Sequence, residues 1–156
     1  MGRPRSAGDR GADTPPFFRL FNEIGIIDQL ARTRFERVMP HAMSVAQFSV
    51  LNHFVRLGGE RSLADLARSF QVSRAAITKL VRKLGENGFV RVRDNPGDAR
   101  GKLVSITVRG VRVHHEAIAA LAPTFAELEQ AFSTSEVGAL LPALARIRVW
   151  LDTHRD

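Results

Sequence analysis

Residues 62 to 107 constrain the fold most, because this stretch contains two helical patterns followed by an abrupt change of period. The first pattern begins at Ser62, whose hydroxyl can cap a helix, with Asp65 three residues on as in a capping box. Its apolar face has helical spacing and comprises Leu63, Leu66, Ala67 and Phe70. The break over residues 71–73 is short, which predicts a tight turn into a second helix.

The second helix begins after Ser73, another capping residue, and should reach Asn87 and Gly88, which suit a left-handed helix end. Its inward face follows the spacing i, i+3, i+4 and i+7: Ile77, Leu80, Val81 and Leu84. Its opposite side carries polar donors, cations and one small residue: Ser73, Arg74, Ala75, Thr78, Lys79 and Arg82. Such a face can lie in the major groove of DNA, where donors reach base edges and cations neutralise phosphates. The alternative is that these residues merely solvate an amphipathic helix.

After Gly88 the period changes from helical to two, which predicts a β-hairpin. The first strand should cover residues 89–93, a polar turn residues 94–101, and the second strand residues 102–106. Four basic residues lie on its strands and turn: Arg91, Arg93, Arg100 and Lys102. An arginine in the turn can enter a narrow minor groove, where the negative potential is strongest. The stretch is interpreted as a winged helix-turn-helix for double-stranded DNA, with simple solvation of the wing residues as the alternative.

The stretch resembles the MarR family of bacterial transcriptional regulators. The resemblance rests on LADLA and VSRAAITKLVRKL in the two helices, GFVRVR and VSIT in the strands, Asp98 and Arg100 in the wing, and Gly110 beyond it. It implies that Arg100 enters the minor groove, and that Asp98 pairs with a basic neighbour and positions the wing. Two residues depart from the family pattern, since Gln71 stands where Gly is common and Gly85 where Glu is usual. A Gly inside a helix costs about 1 kcal/mol relative to Ala.

The positive charge is concentrated in the same part of the chain. From residue 61 to residue 112 there are twelve Lys and Arg against four Asp and Glu, a net charge of +8, whereas the remainder carries −1. A positive field confined to the winged segment is the footprint expected of a nucleic-acid-binding surface. Cysteine is absent, which excludes disulfides, thiol-based redox sensing and thiolate zinc sites.

Two helices are predicted ahead of the winged pair. Thr14 can cap the first, the two prolines that follow suit its first turn, and its apolar pattern ends before Pro40, which corresponds to about 35 Å. The second runs from a capping box at Ser44 to about Leu57 and is apolar on two sides, as expected of a helix between two layers. Its polar residues form one narrow stripe: Ser49, His53 and Arg56.

Two more helices are predicted after the wing. The first follows Thr107 and extends to about Phe132 with a bend at Pro123. The second opens at a Ser133 capping box and carries a leucine-rich stripe, and Pro142 must either kink it or delay its regular start. The resemblance implies that these helices and the first helix interlock as a homodimer. The alternative, a monomeric helical bundle, leaves the leucine-rich stripes without a partner.

The predicted fold is mainly α with a small β-hairpin wing. A winged helix-turn-helix over about residues 45–107 is flanked by dimerisation helices over about 14–38 and 108–152. Residues 14–156 should form one domain, and residues 1–13, which lack the apolar core of a signal peptide, a disordered tail. Since no apolar run approaches the ~18–20 residues that span a bilayer, no membrane partner is expected and the protein should be cytoplasmic.

Neither catalytic nor metal chemistry is expected. The sequence contains no nucleophile elbow, no phosphate-binding glycine loop and no metalloprotease motif. His114 and His115 are adjacent on a helix, about 100° apart, so they do not easily share a metal ion. The other histidines are dispersed, which leaves convergence with histidines of a partner subunit as the open alternative. No cofactor is expected.

The leading hypothesis is a dimeric, sequence-specific transcriptional regulator, a repressor that a small-molecule effector releases from a pseudo-palindromic operator. The resemblance implies effectors, often aromatic acids, bound between the dimerisation helices and the winged unit. His53 and Arg56, a titratable ring and a fixed cation on the helix expected between two layers, are candidate effector-binding residues, unless their stripe is only a solvated face. The second functional class is a winged-helix module for protein–protein assembly, whose basic face meets an acidic partner. Salt-sensitive retention of duplex DNA, with preference for one short palindrome, separates the two classes.

Overall fold

The computed structural model describes residues 14–154, so the predicted disordered tail over residues 1–13 lies outside the described residues. A mainly helical chain with one small antiparallel sheet confirms the predicted fold class. The described elements, in chain order, are α1 (Pro16–Glu36), a 3-10 turn (Pro40–Ala42), α2 (Val45–Leu57), β1 (Arg61–Ser62), α3 (Leu63–Phe70), α4 (Arg74–Glu86), β2 (Val90–Asn95), β3 (Asp98–Ile106), α5 (Val108–Ala120), α6 (Ala122–Ala131) and α7 (Thr134–Thr153).

The start of α1 corrects one prediction. Pro15, rather than Thr14, is the residue that precedes the first helical turn, and it makes no side-chain capping bond. The proline rings fix the backbone of this turn, so a capping hydroxyl is not needed. The 21 residues of α1 span about 32 Å, slightly less than predicted, because the helix already ends at Glu36. A 3-10 turn then follows in which His41 and Ala42 both have positive φ, 56° and 50°.

The α2 helix confirms its predicted capping box. Ser44 Oγ accepts from the backbone N–H of Gln47 at 3.2 Å, and Gln47 Oε1 accepts from the N–H of Ser44 at 2.9 Å. The helix ends at Leu57, as predicted. Each of its two predicted apolar sides has buried members, Leu51 on one and Val50 and Phe54 on the other, and α2 lies between α5 and the winged unit. The last residues of the two sides, Val55 and Leu57, are exposed.

The helix-turn-helix of α3 and α4 is confirmed, with Ser62 and Ser73 as caps. Ser62 Oγ accepts from the Asp65 N–H at 3.0 Å, but the Asp65 carboxylate accepts from the Ser62 hydroxyl instead of its backbone, so the capping box is only half formed. Gln71 ends α3 in the left-handed region, at φ 51° and ψ 43°, which explains why Gly is common there. Gly88, at φ 71°, provides the left-handed end after α4, whereas Asn87 keeps right-handed helical angles.

The hairpin is longer and its turn tighter than predicted. The turn was predicted over residues 94–101, but the observed turn consists of Pro96 and Gly97 alone, because both strands extend toward the tip. Asn95 Oδ1 accepts from the Gly97 N–H at 3.0 Å, which closes the turn locally, and the strand register shifts next to this point. A further short strand, β1, pairs with β3 and gives the order β1-β3-β2. This strand was not predicted.

Two prolines shape the C-terminal helices. The predicted helix over 108–132 is divided at Leu121, because Pro123 cannot donate the backbone hydrogen bond that would continue α5. Pro142 lies inside α7, which already begins at Thr134, so of the two alternatives left open by the sequence the delayed start is excluded. The Ser133 capping box at the start of α7 is confirmed.

The hydrophobic core lies within the winged unit and the start of the C-terminal segment. Its largest fully buried side chains are Phe54, Phe89, Leu51, Leu66, Ile77 and Leu84. Neither α1 nor α7 contributes a buried residue, although both expose large apolar side chains such as Phe17 (73%) and Leu140 (61%). Across residues 14–154 no helix combines the length and apolar character needed to cross a membrane.

Candidate nucleic-acid interface

The α4 helix presents one buried and one exposed side. Ile77, Val81 and Leu84 are buried in the core, and this contact fixes the rotation of the helix. The opposite side carries the predicted DNA-contacting residues of α4, all exposed: Ser73, Arg74, Ala75, Thr78, Lys79 and Arg82. Two of their hydroxyls have local backbone partners: Ser73 Oγ accepts from the Ala76 N–H, and Thr78 donates to the carbonyl of Arg74 at 2.7 Å.

The cations on this surface differ in their partners. Among residues 14–154, the side chains of Arg74 and Lys79 have neither a hydrogen bond nor an ion pair. Arg82, one turn before the end of α4, instead donates from Nη1 to Glu86 Oε1 at 2.5 Å. Arg74 and Lys79 are thus unpaired among the described residues, whereas Arg82 is paired.

Two of the predicted wing cations are paired with carboxylates. Arg93 on β2 donates from Nε to Glu60 Oε1 at 2.9 Å and from Nη2 to Glu60 Oε2. Lys102 on β3 pairs with Asp94 across the hairpin. Hydrogen bonding to these cations lowers the pKa of the Glu60 and Asp94 carboxyl groups.

The two residues of the predicted wing motif are located only in part. Arg100 lies in β3, but its side chain lies outside the described residues. The Asp98 carboxylate lies over Gly101, where a Cβ would approach its Oδ2 to 2.8 Å. The Asp98 carboxylate therefore packs against Gly101, close to the tip of the hairpin.

The junction between the hairpin and α5 is formed around the carbonyl of Phe89. This oxygen accepts from the Thr107 backbone N–H at 3.0 Å and lies 3.1 Å from the Thr107 hydroxyl. Thr107 Oγ1 also accepts from the Gly110 N–H at 3.0 Å, which caps α5. A Cβ on Gly110 would overlap the Phe89 carbonyl oxygen and lie 2.8 Å from Ile106 Cγ1. The motif glycine therefore permits close packing of α5 against the wing.

A cavity of about 390 Å³ lies between α2, α3 and the end of α7. Both predicted effector-binding residues, His53 and Arg56, line it, together with Phe70 of α3. The other wall carries Arg148 and Asp152 of α7, which the sequence analysis did not identify. No local pattern could have found these two residues, because they meet α2 only in the tertiary structure.

The His53 ring is neutral at neutral pH. Burial contributes most to the lowering of its pKa, and the nearby guanidinium groups of Arg61 and Arg56 lower it further. The buried Nε2 atom has no hydrogen-bond partner among the described residues, and the ring lies 5.4 Å from that of Phe70. The cations of this cavity are therefore Arg56 and Arg148, with His53 as an uncharged polar group.

His114 is a packed core residue. Its ring stacks on Phe48 with a centroid separation of 5.1 Å, and Nε2 lies 3.1 Å from Asn52 Oδ1. Burial, and secondarily the neighbouring His115, lowers the pKa of His114, so the ring packs uncharged. Residues 14–154 contain no group of three or more His, Cys, Asp and Glu side chains placed to hold a metal ion.

Comparison with known proteins identifies the family. A model described as the MarR family matches residues 42–101. The transcriptional activatory protein BadR of Rhodopseudomonas palustris is 31% identical over 121 residues, which cover 72% of this chain and 67% of BadR. The crystal structure of the transcriptional regulator BldR from Sulfolobus solfataricus has a TM-score of 0.71 and 27% identity, and the match covers 93% of this chain and 99% of that one. A mutant MarR from E. coli, crystallised with operator DNA, shares the fold at 24% identity and a TM-score of 0.66, over 84% of this chain and 94% of its own. These matches, together with the winged helix-turn-helix and the wing junction described above, show that this chain belongs to the MarR family of transcriptional regulators.

Proposed function

We propose that this protein binds double-stranded DNA in a sequence-specific manner, with α4 in the major groove and the wing against the neighbouring minor groove. The observation that carries the proposal is the exposed face of α4, where Arg74 and Lys79 are unpaired while the opposite face is held in the core. Side chains with free donors at this position can reach base edges and phosphates. The E. coli MarR complex with operator DNA supports the same use of this fold.

We further propose that the active species is a two-fold dimer formed through α1 and the C-terminal helices. The apolar side chains of α1 and α7 support this, since no residue of either helix is buried within one chain. Exposed apolar surface of this extent is characteristic of an association face. A dimer would place two α4 helices at half-sites about one helical turn apart, ~34–36 Å, and so require a pseudo-palindromic operator.

We propose repression as the regulatory outcome. BadR is by name an activatory protein, so relatives of this chain include regulators of the opposite sign. The same helix-in-groove contact serves both outcomes, because the sign depends on where the operator lies relative to the promoter. Repression requires a site that overlaps the promoter, and it is tested by transcription from the operator-bearing fragment with and without the protein.

Recovery of bound DNA tests DNA binding and dimerisation together. Genomic fragments retained by the purified protein at moderate salt should share a short inverted repeat, and added salt should release them. Light scattering at micromolar concentration should give the mass of a dimer. Retention of an acidic protein without enrichment of any DNA sequence would favour the assembly-module alternative, and a monomeric mass would contradict the dimer.

We propose that the cavity between α2, α3 and α7 is the effector site and that its ligand is a small organic anion. Arg56 from α2 and Arg148 from α7 supply positive charge from two sides, while Phe70 offers an apolar surface. A ligand held between them would link a helix of the winged unit to a proposed dimerisation helix. It would lower DNA affinity only if it binds one spacing of the two α4 helices better than the other.

Calorimetric titration with small aromatic carboxylates tests this site. Arg56→Ala should weaken binding roughly tenfold or more, because a hydrogen bond to a charged group contributes about 1.5–3 kcal/mol. His53→Ala should have a smaller effect, because the ring is uncharged. His115→Ala, at an exposed position on α5, is the matched control and should bind as wild type does. The proposal fails if no such anion binds wild type, or if both cavity variants bind it and release operator DNA normally.

A further inference from the structure

The proposed DNA-binding surface contains three ion pairs with a common arrangement. In each, a cation predicted to contact DNA is held by a carboxylate of the same chain: Arg82 by Glu86, Arg93 by Glu60, and Lys102 by Asp94. All six side chains are exposed, with side-chain accessibilities between 37% and 86%, so a phosphate can reach each pair.

The Glu60–Arg93 pair is the most constrained of the three. Glu60 directly precedes β1, which is one edge strand of the sheet, and Arg93 lies on β2, the other edge strand. Their contact therefore crosses the central strand β3. Both carboxylate oxygens are engaged, one by Nε and one by Nη2 of the guanidinium. A bidentate pair of this kind uses the planar donors with which arginine would otherwise bind a phosphate. The Nε–Nη2 edge of Arg93 is therefore occupied, and its charge is offset by Glu60.

We propose that Glu60, Glu86 and Asp94 limit the sequence-independent affinity of this protein for DNA by withholding Arg93, Arg82 and Lys102 from the phosphates. This inference rests on the proposed DNA binding. The unpaired Arg74 and Lys79 then make the first contacts, and the carboxylates lower the affinity for DNA that offers only phosphates.

The physical basis is that non-specific binding to DNA is almost entirely electrostatic. Each cation that neutralises a phosphate releases condensed counterions and makes the salt dependence steeper, by about 0.9 in the slope of log K against log salt. A cation that stays paired with a carboxylate of its own chain releases none. The carboxylate in addition repels the phosphate, and this repulsion acts over about 8 Å at physiological ionic strength.

Amide substitutions test the inference, because Glu60→Gln, Glu86→Gln and Asp94→Asn keep the side-chain shape and remove the charge. Affinity for a duplex of arbitrary sequence is measured for each variant by fluorescence anisotropy over a range of salt concentrations. Each variant should bind more tightly than wild type, with a slope steeper by about 0.9 per released cation, and hence about 1.8 for a dimer. Between about 50 and 200 mM salt, each added phosphate contact then multiplies the fold-loss of affinity of the variant, relative to wild type, by roughly three.

Asp28→Asn is the matched control. Asp28 pairs with Arg32 on α1 at 3.0 Å with the same i, i+4 spacing and similar exposure as the pair on α4, but outside the proposed DNA-binding surface. It changes the net charge equally and should leave the salt slope unchanged. Light scattering and a melting curve for every variant ensure that dimers of equal stability are compared.

Two results overturn the inference while leaving the proposed function intact. One is wild-type affinity and slope in all three variants, which would mean that the cations bind DNA regardless of their partners. The other is weaker binding, which would mean that the carboxylates orient the cations toward DNA. A wild-type protein that binds no duplex DNA at any salt concentration overturns the proposed function and this inference together.

Discussion

Replacing Gly110 by Ala should lower the free energy of unfolding by about 3 kcal/mol, the upper part of the range for overpacking a well-packed site. The new methyl group would overlap the Phe89 carbonyl oxygen and crowd Ile106. The carbonyl cannot easily move away, because it accepts the backbone hydrogen bond of Thr107 that joins the hairpin to α5. The strain therefore has to be relieved by moving α5 away from the wing.

Urea unfolding followed by circular dichroism measures this effect, and Gly85→Ala is the control. Gly85 is also helical, but a Cβ at that position meets no atom within 4 Å. This variant should gain up to about 1 kcal/mol, because Ala is the better helix former. If Gly110→Ala were as stable as Gly85→Ala, the inference that α5 packs tightly against the wing at Gly110 would be wrong. Because the junction positions the wing, Gly110→Ala should also weaken binding to operator DNA at temperatures where it remains folded.

Helix starts were predictable from the sequence wherever a capping hydroxyl acts over three residues. Ser44, Ser62, Ser73, Thr107 and Ser133 all accept a hydrogen bond from the backbone N–H three positions later. Such contacts depend on local conformation alone, so a local pattern is sufficient to find them. The prediction of Thr14 as a cap was wrong because Pro15 directly precedes the helix, and Pro16 has no backbone N–H that needs a partner.

Features that depend on partners distant in sequence could not be predicted. The strand β1 exists only because β3 offers a free edge, and the hairpin strands extend to the tip because cross-strand pairing outweighs the polar character of the residues there. Positive φ values at His41 and Ala42 were not predicted either, since neither residue is a glycine. For Gln71, the sequence showed a departure from the family's Gly, but it did not show that the backbone of this residue is left-handed.

In the candidate site, too, local patterns predicted some features, whereas others depend on residues distant in sequence. Helical periodicity correctly assigned the exposed and buried sides of α4, because the apolar spacing of Ile77, Val81 and Leu84 sets the rotation of the helix. The pair between Arg82 and Glu86 has i, i+4 spacing and is readable from the sequence. The partner of Arg93, by contrast, lies 33 residues away and required the folded sheet.

Arg74→Ala and Lys79→Ala should each weaken operator binding substantially. A bidentate contact from either side chain to a base would contribute roughly 1–3 kcal/mol of discrimination, equivalent to about a 5- to 150-fold preference for the correct base. Both side chains are exposed and unpaired among residues 14–154, so their removal breaks no contact within the chain. Stability should therefore stay within about 0.5 kcal/mol of wild type, as for other surface substitutions. Arg37→Ala, at an exposed residue after α1 that is unpaired among residues 14–154, is the control for loss of one exposed positive charge.

Anisotropy titrations with the recovered operator and with a scrambled duplex distinguish the roles of the two residues. If the residue reads a base, its Ala variant loses affinity for the operator but little for the scrambled duplex, because only the correct base offers the side chain a partner. If the residue neutralises a phosphate, its Ala variant loses affinity for both duplexes in similar proportion, and the slope of log K against log salt falls by about 0.9 per contact. Because Arg74 lies in the first turn of α4, where a recognition helix contacts base edges, we expect the first behaviour for Arg74. Lys79, a point charge on a flexible stem, should show the second. Unchanged operator affinity in both variants would remove α4 from the interface and leave the wing as the DNA-binding element.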